Sequence, residues 1–209
     1  MSLFITFEGG EGSGKSVQAH SLYNKLLRST IPAVLTHEPG GTPLGEYVRG
    51  LLKWTDAYIS PEAELLMFNA SRAQLLSEVI LPNIGNGKVV ICDRFVDSTI
   101  AYQGYGRGLD LVVVRRINDA TVKELTPNLT VLLDIPFEKG LDRVSLRSKQ
   151  KDRFERENIA FHQRVREGYL KMAANEPERW LVIDATQSRE KIAKIIWQRV
   201  SQLLARPVD

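Results

Sequence analysis

The chain has 209 residues, 43% of them hydrophobic and 25% charged, which suits one α/β domain with a full core and at most a small lid. Its net charge of +3 is small and its basic residues are spread out, so an anionic small molecule accounts for them as well as a nucleic acid would. A single cysteine, Cys92, excludes a disulfide framework, and there is neither a secretory leader pattern nor an apolar run of about 18 residues, so we expect a cytoplasmic protein.

Short apolar segments alternate along the chain with segments of helical period. Strands are predicted at residues 3–7, 33–36, 89–92, 129–133 and 180–183. Helices are predicted at residues 15–28, 44–53, 61–81, 111–125, 137–147, 157–175 and 188–204. This alternation predicts an α/β fold, a doubly wound five-stranded parallel sheet with helices on both faces.

Between the first strand and the first helix lies a phosphate-binding loop, the P-loop, which matches G-x-x-x-x-G-K-[ST]. Glycines let successive backbone N–H groups face a phosphate, and the helix N-terminus adds partial positive charge. Lys15 can reach the terminal phosphates of a nucleotide, and the Ser16 hydroxyl can ligate Mg²⁺. The ATP-binding residues predicted are Gly9, Gly10, Glu11, Gly12, Ser13, Gly14, Lys15 and Ser16.

Three predicted strands finish in aspartate, so Asp93, Asp134 and Asp184 are all candidates for the metal site. Asp93 is followed at once by Arg94, which places a possible metal ligand beside a guanidinium that can pair with phosphate. Asp134 precedes Ile-Pro at the start of a helix, where an acidic turn residue is ordinary. We therefore predict that Ser16 and Asp93 hold Mg²⁺.

A P-loop alone fits a GTPase, an ATPase motor or several classes of small-molecule kinase. Other parts of the sequence must therefore indicate whether there is a second substrate and what it is. The Asn-Lys-x-Asp guanine signature is absent from the sequence. Phe68 and Arg72 are four residues apart and share one helical face, where a ring and a donor fork can hold a nucleobase. Spacing alone leaves the alternative open of a core phenylalanine with a surface arginine extended past it.

Five motifs in order together resemble the thymidylate kinase family. They are Phe-Glu-Gly-Gly-Glu-Gly-Ser-Gly-Lys-Ser from Phe7, Glu-Pro-Gly-Gly-Thr from Glu38, Phe-Asn-Ala-Ser-Arg-Ala-Gln from Phe68, Asp-Arg-Phe from Asp93, and Ser-Thr-Ile-Ala-Tyr-Gln-Gly from Ser98. The resemblance runs from the first strand to the last helix. It implies a P-loop NTPase fold with a short lid, in a single nucleoside monophosphate kinase domain at residues 1–209.

The resemblance also implies roles for residues on the acceptor side. Phe68 is expected to stack on thymine and Arg72 to bond a thymine carbonyl, with Thr99 and Gln103 beside the base. Arg49 and Arg94 are expected to hold the acceptor phosphate. Tyr102 is expected to pack under the deoxyribose and disfavour a 2′-hydroxyl, and Glu11 to approach the 3′-hydroxyl. Family members often carry Asp at the position of Glu11.

Gly12 separates this chain from family members that place arginine at that P-loop position. The resemblance implies that a lid supplies the cation instead, and a basic segment at about residues 143–155 follows the fourth strand. Without the resemblance this segment reads equally well as a solvated helix end. Arg147 and Arg153 are the candidate lid cations, so the predicted catalytic residues are Lys15, Arg94, Arg147 and Arg153.

The expected reaction is ATP- and Mg²⁺-dependent phosphorylation of dTMP to dTDP, with ATP and dTMP as partners and neither a nucleic acid nor a membrane. A homodimer is expected from the resemblance, with an interface on the helices at 44–52 or 61–81. Two alternatives stay open: another pyrimidine nucleoside monophosphate kinase, which a 5-methyl group separates by only about 1–3 kcal/mol, and an ATP-binding regulatory switch.

Overall fold

The computed structural model describes residues 2–122, 124–147 and 150–205, apart from the side chain of Arg147. Its centre is a five-stranded parallel sheet in the order β2-β3-β1-β4-β5. The strands are β1 (Phe4–Glu8), β2 (Ala33–His37), β3 (Val89–Asp93), β4 (Leu129–Asp134) and β5 (Trp180–Asp184). The predicted sheet is confirmed, and each strand extends one residue beyond the predicted carboxyl end.

The central strand β1 is buried on both faces, because helices cover the sheet on each side. Ile5 and Phe7 pack in one cluster with residues of the first and last helices, Leu22 and Ile196 among them. Phe4 points to the opposite face and packs with Leu75 in a second cluster. Alternating side chains of a doubly covered strand must be apolar on both faces, which explains the continuous apolar run.

The helices are α1 (Lys15–Arg28), α2 (Pro43–Trp54), α3 (Pro61–Leu75), α4 (Leu81–Gly85), α5 (Val96–Thr99), α6 (Leu111–Val122), α7 (Phe137–Arg147), α8 (Ile159–Asn175) and α9 (Arg189–Leu204). Two π-helical segments, Leu76–Ile80 and Ile100–Gly106, follow α3 and α5. Side-chain caps start several helices: Thr42 accepts a hydrogen bond from the Gly45 N–H at α2, and Ser60 accepts one from Ala63 at α3.

The helical stretch at residues 96–106 was not among the predicted helices. Gly104 and Gly106 serve close packing. A Cβ on Gly104 would lie 2.5 Å from the Leu111 side chain, and one on Gly106 would lie 2.7 Å from Phe161. Glycine signals a break in sequence patterns, but here it permits helices to approach each other.

Parallel pairing gathers the carboxyl ends of the strands at one edge of the sheet, where open α/β folds bind ligands. Glu8, His37, Asp93, Asp134 and Asp184 are the terminal residues of the five strands. Within the described ranges, every helix is too short or too polar to cross a lipid bilayer.

Candidate active site

A cleft with a volume of about 980 Å³ opens at this edge of the sheet. It joins residues that are far apart in sequence: the P-loop, the ends of β2 and β3, and the helices α2 and α3. Predicted site residues that line it are Glu11, Gly12, Ser13, Gly14, Lys15, Ser16, Arg49, Phe68, Arg72, Asp93, Arg94, Thr99, Tyr102 and Gln103. Most residues predicted to bind ATP therefore line the same cavity as those predicted to bind dTMP, and its size suits small-molecule ligands.

The P-loop is packed against α7 through two glycines. Gly12 has φ of +67°, and a Cβ there would lie 2.0 Å from the Gly140 carbonyl oxygen. A Cβ on Gly140 would in turn lie 2.3 Å from the Glu11 carbonyl oxygen. An arginine at position 12 is thus sterically excluded in this arrangement, which agrees with a lid as the source of any further cation.

Lys15 is buried beneath the loop, and its Nζ donates to the carbonyl oxygens of Gly9 at 3.0 Å and Gly10 at 2.8 Å. Burial, with repulsion from Arg94, lowers the pKa of Lys15 to about 8, although Glu11 and Asp93 oppose the shift. Its ammonium group is therefore held where a bound anion would favour the charged form.

Ser16 and Asp93 are in contact, since the Ser16 hydroxyl donates to Oδ2 of Asp93. The other oxygen, Oδ1, is buried and has no hydrogen-bond partner among the described residues. A hydroxyl beside an under-satisfied carboxylate at the start of a P-loop helix fits Mg²⁺, which usually takes one or two protein ligands and completes its shell with phosphates and water.

The other two strand-end aspartates have structural partners. Asp134 accepts two hydrogen bonds from Arg166, at 2.7 and 2.8 Å. Asp184 accepts from the backbone N–H and the hydroxyl of Thr186, at 2.8 and 2.7 Å. Both carboxylates are thus engaged in turns and ion pairs.

Arg94 lies at the centre of the cleft with φ of +74°, an uncommon backbone conformation for arginine. Its Nη2 donates to Glu11 Oε1 at 2.9 Å and to the Tyr102 hydroxyl at 3.1 Å, and the guanidinium carbon lies 4.9 Å from the Tyr102 ring centroid. Such strain costs about 1–3 kcal/mol and concentrates at functional sites. These contacts fix the guanidinium of Arg94 in the cleft, and its predicted contact with the acceptor phosphate stays a prediction.

Glu11 is drawn into the same cluster. Burial alone would raise the pKa of its carboxyl, but the charges of Arg94 and Lys15 and a hydrogen bond from Tyr102 outweigh it and bring the pKa to about 2. The Tyr102 hydroxyl donates to Glu11 at 2.7 Å. Glu11 therefore acts on its neighbours as a fixed negative charge throughout the physiological pH range.

Behind Arg94, the buried Glu8 accepts hydrogen bonds from the hydroxyls of Ser98 at 2.6 Å and Tyr169 at 2.8 Å. Both hydroxyls lie within hydrogen-bond distance of Arg94 Nη1, at 3.2 and 3.4 Å. Burial, together with repulsion from Asp97, raises the pKa of Glu8 to about 7. The sequence did not predict this link from Glu8 through Ser98 and Tyr169 to Arg94, because Glu8 was interpreted only as the end of a buried strand.

Arg72 is fully buried, which excludes the alternative of a surface arginine. It makes a bidentate ion pair with Glu38, with Nη2 2.7 Å from Oε2 and Nε 3.1 Å from Oε1. Further donations go to Asn118 at 3.0 Å and to the Thr99 hydroxyl at 2.8 Å. Its donors are all engaged within the protein, so a bond to a base carbonyl requires one of them to be shared or exchanged, and that predicted role stays a prediction.

Phe68 is half-buried on the cleft wall and lies 5.9 Å from Phe154, measured between ring centroids. Gln103 is buried, lines the cleft, and donates from Nε2 to Glu64 Oε1 at 2.7 Å. Arg49 reaches the cleft from α2 and donates to the Pro39 carbonyl at 2.9 Å. The aromatic, amide and guanidinium groups expected around a nucleotide are thus brought together.

The basic segment at about residues 143–155 begins inside α7, and two of its arginines make contacts that the sequence did not predict. Arg153 donates to the Leu52 carbonyl at 2.9 Å and to Glu64. Arg143, at the start of the segment, contacts the P-loop through the Gly12 carbonyl at 3.5 Å and also donates to the Ala185 carbonyl at 3.1 Å. The side chain of Arg147 lies outside the described part of the chain.

Two further residues escaped the sequence prediction. Arg143 stood at the edge of the basic segment and was not singled out as a cation. Glu64 precedes Phe68 by four residues, so the helical spacing that paired Phe68 with Arg72 places Glu64 on the same face. That spacing was the available signal.

Known proteins match the chain over nearly its whole length. The family model for thymidylate kinase matches residues 7–196. A thymidylate kinase of Dehalococcoides mccartyi is 52% identical over 211 residues, covering 99% of this chain and 100% of that protein. One from Halothermothrix orenii is 47% identical over 206 residues, with 98% and 99% covered. The solved structure of thymidylate kinase from Ehrlichia chaffeensis has a TM-score of 0.76 and 35% identity, covering 95% of this chain and 98% of that one.

Proposed function

The chain belongs to the thymidylate kinase family, and on that premise we propose how its residues carry out the family's reaction. The enzyme transfers the γ-phosphoryl group of ATP to dTMP, giving ADP and dTDP on the route to dTTP. The observation that best supports the residue roles is the single cleft shared by the P-loop, Arg94 and Phe68.

On the donor side, the P-loop backbone holds the phosphates of ATP. Lys15 leaves the carbonyl oxygens of Gly9 and Gly10 and donates to oxygens of these phosphates. Ser16 and Asp93 would hold Mg²⁺. The chemistry that the ion supplies when bound is neutralisation of the charge on the β- and γ-phosphates.

On the acceptor side, Arg94 and Arg49 grip the phosphate of dTMP, while Phe68 stacks on thymine beside Thr99 and Gln103. Tyr102 packs under the deoxyribose, and Glu11, fixed as an anion, faces the 3′-hydroxyl. These contacts place an acceptor phosphate oxygen in line with the γ-phosphorus.

In the transfer step a new P–O bond forms from the acceptor oxygen, and the bond from the γ-phosphorus to the β–γ bridging oxygen breaks as ADP leaves. The acceptor is already ionised near neutral pH, so positioning and charge stabilisation replace a strong general base. His20, His37 and His162 have no required role. Arg147 and Arg153 on the lid are proposed to stabilise the charge on the transferring group.

Acceptor-dependent ADP release across dTMP, dUMP, UMP and dCMP tests this account. We expect the highest kcat/KM with dTMP. A preference for another pyrimidine monophosphate would support a different nucleoside monophosphate kinase. ADP release independent of any acceptor would support a nucleotide-driven switch, which has no need of the acceptor-side residues.

We propose that the chain is one kinase domain, with a lid at about residues 143–155, that works in the cytoplasm as a homodimer. Tyr47 and Leu51 on α2 are 76% and 56% exposed, and Leu66 on α3 is 56% exposed. The two helices pack side by side, so these apolar side chains offer a shared surface to a second copy. Sedimentation of the wild type and of Leu51→Glu tests it: we expect a dimer and a monomer, and an unchanged dimer in the variant would contradict this interface.

A further inference from the structure

We propose that Glu64 is a positioning residue that helps the enzyme distinguish thymine from cytosine. It holds the Gln103 side-chain amide so that the amide oxygen faces the base of the acceptor nucleotide. The proposal rests on the proposed function in one respect, the placement of Gln103 beside the base. It adds a residue outside the expected substrate contacts and a chemical reason for the choice between pyrimidines.

Glu64 is fully buried on α3, one helical turn before Phe68. Its Oε1 accepts a hydrogen bond of 2.7 Å from Nε2 of Gln103. An ionised carboxylate can only accept, so the NH₂ end of the amide must face Glu64. The amide oxygen of Gln103 is then the group left for a ligand in the cleft that this residue lines.

The charge of Glu64 is matched by two guanidinium groups. Arg107 donates to Oε1 at 3.2 Å and to Oε2 at 3.1 Å, and Arg153 donates to Oε2. A buried carboxylate requires such partners, and these also fix its orientation. The Gln103 amide is thereby locked by a rigid group.

A fixed acceptor oxygen discriminates between pyrimidines. Thymine and uracil carry an N3–H donor, which an amide oxygen can accept. Cytosine has an unprotonated N3, so its N3 and the Gln103 amide oxygen would face each other as two acceptors without a hydrogen between them. Sites built around one hydrogen-bonding pattern reject the wrong pattern strongly, because a buried polar group is left without a partner.

Glu64→Gln tests the proposal sharply. The single carboxamide oxygen at position 64 would be taken by Arg107 and Arg153, so its NH₂ group would face Gln103 and favour the flipped amide. The matched control is Glu157→Gln, since Glu157 also pairs with Arg107 and shares no contact with Gln103 among the described residues.

The measurement is the ratio of kcat/KM for dTMP to that for dCMP, with circular dichroism to confirm folding. We expect Glu64→Gln to lower this ratio by about 10-fold or more, and Glu157→Gln to change it by less than about 2-fold. Glu64→Asp serves where the first variant fails to fold, because it keeps the charge beside both arginines but withdraws the carboxylate from Gln103. An unchanged ratio in a folded Glu64 variant would overturn the proposal.

Gln103→Leu distinguishes the proposed role of Glu64 from the proposed placement of Gln103 beside the base. A ratio that falls in Gln103→Leu and in Glu64→Gln, with no further fall in the double variant, supports action through Gln103. A ratio that falls only in Gln103→Leu refutes the role of Glu64 and leaves the placement of Gln103 intact. A ratio unchanged in Gln103→Leu refutes both.

Discussion

At the scale of single residues, Lys15 is a cation held in surroundings that disfavour its charge. Burial brings its pKa to about 8, and ATP phosphates placed beside it would raise that pKa again. Above pH 8 the free enzyme therefore has a mostly neutral Lys15, and ATP binding must take up a proton.

Proton uptake on MgATP binding is expected to rise between pH 7.5 and pH 9, as Lys15 of the free enzyme loses its proton with a pKa of about 8. Titration calorimetry in buffers of different ionisation enthalpy measures it. Uptake that stays flat across this range would contradict the assigned state of Lys15.

The Arg72–Glu38 pair is a second residue-scale feature, because both side chains are buried and each neutralises the other. Burial raises the pKa of Glu38, while Arg72 opposes the rise. Removing one partner leaves the other charge without compensation inside the protein.

We expect Arg72→Met to lower the free energy of unfolding by about 3–5 kcal/mol, measured by urea denaturation without ligands. Arg72→Met combined with Glu38→Leu should recover most of that loss. A double variant as unstable as the single one would show that the surrounding hydrogen bonds matter more than the pair.

At the scale of elements, the contact between the P-loop and α7 depends on Gly12 and Gly140 meeting backbone to backbone. Gly140→Ala is expected to destabilise the protein by about 1–3 kcal/mol through overpacking, and to weaken ATP binding because the loop must shift. Thermal unfolding and the KM for ATP report the two effects.

Gly50→Ala is the matched control, since Gly50 is an exposed helical glycine with open space around its Cβ position. It should raise stability by about 0.5–1 kcal/mol and leave the KM for ATP unchanged. Equal behaviour of the two variants would refute the role of the glycine contact.

The basic segment supplies another prediction at this scale. Replacing the acting lid arginine, Arg147 or Arg153, with alanine should lower kcat by about 10³ with little change in the KM for dTMP. Arg156→Ala is the control, because Arg156 is exposed and directly follows the segment. An unchanged kcat in both test variants would remove the lid assignment.

The sequence predicted some secondary-structure elements accurately and missed others. Short apolar runs mark all five strands, the partly exposed edge strands β2 and β5 included, so all five were found. Helices α1 and α7 match their predicted bounds. The helical stretch at residues 96–106 was missed because Gly104 and Gly106 read as helix breakers in sequence, whereas in the fold they allow close packing with Leu111 and Phe161.

At the scale of the whole molecule, strand order decides what the site contains. β1 lies between β3 and β4, so the P-loop after β1 meets Asp93 and Arg94 at the carboxyl end of β3. The P-loop motif and the predicted parallel sheet together predicted that the P-loop would lie beside Asp93 and Arg94. The contact of Glu64 with Arg153 depends on how the segment after α7 folds over the cleft. The contact of Arg143 with Gly12 depends on how α7 packs against the P-loop. Spacing along the chain predicts neither contact.

The central claim is that one cleft holds both nucleotides, with their phosphates meeting between the P-loop and Arg94. A crystal structure with dTMP and a non-hydrolysable ATP analogue tests it most directly. The account predicts thymine stacked on Phe68 within reach of the Gln103 amide, the monophosphate on Arg94, and the triphosphate in the P-loop. Thymine bound elsewhere, or a monophosphate without contact to Arg94, would contradict it.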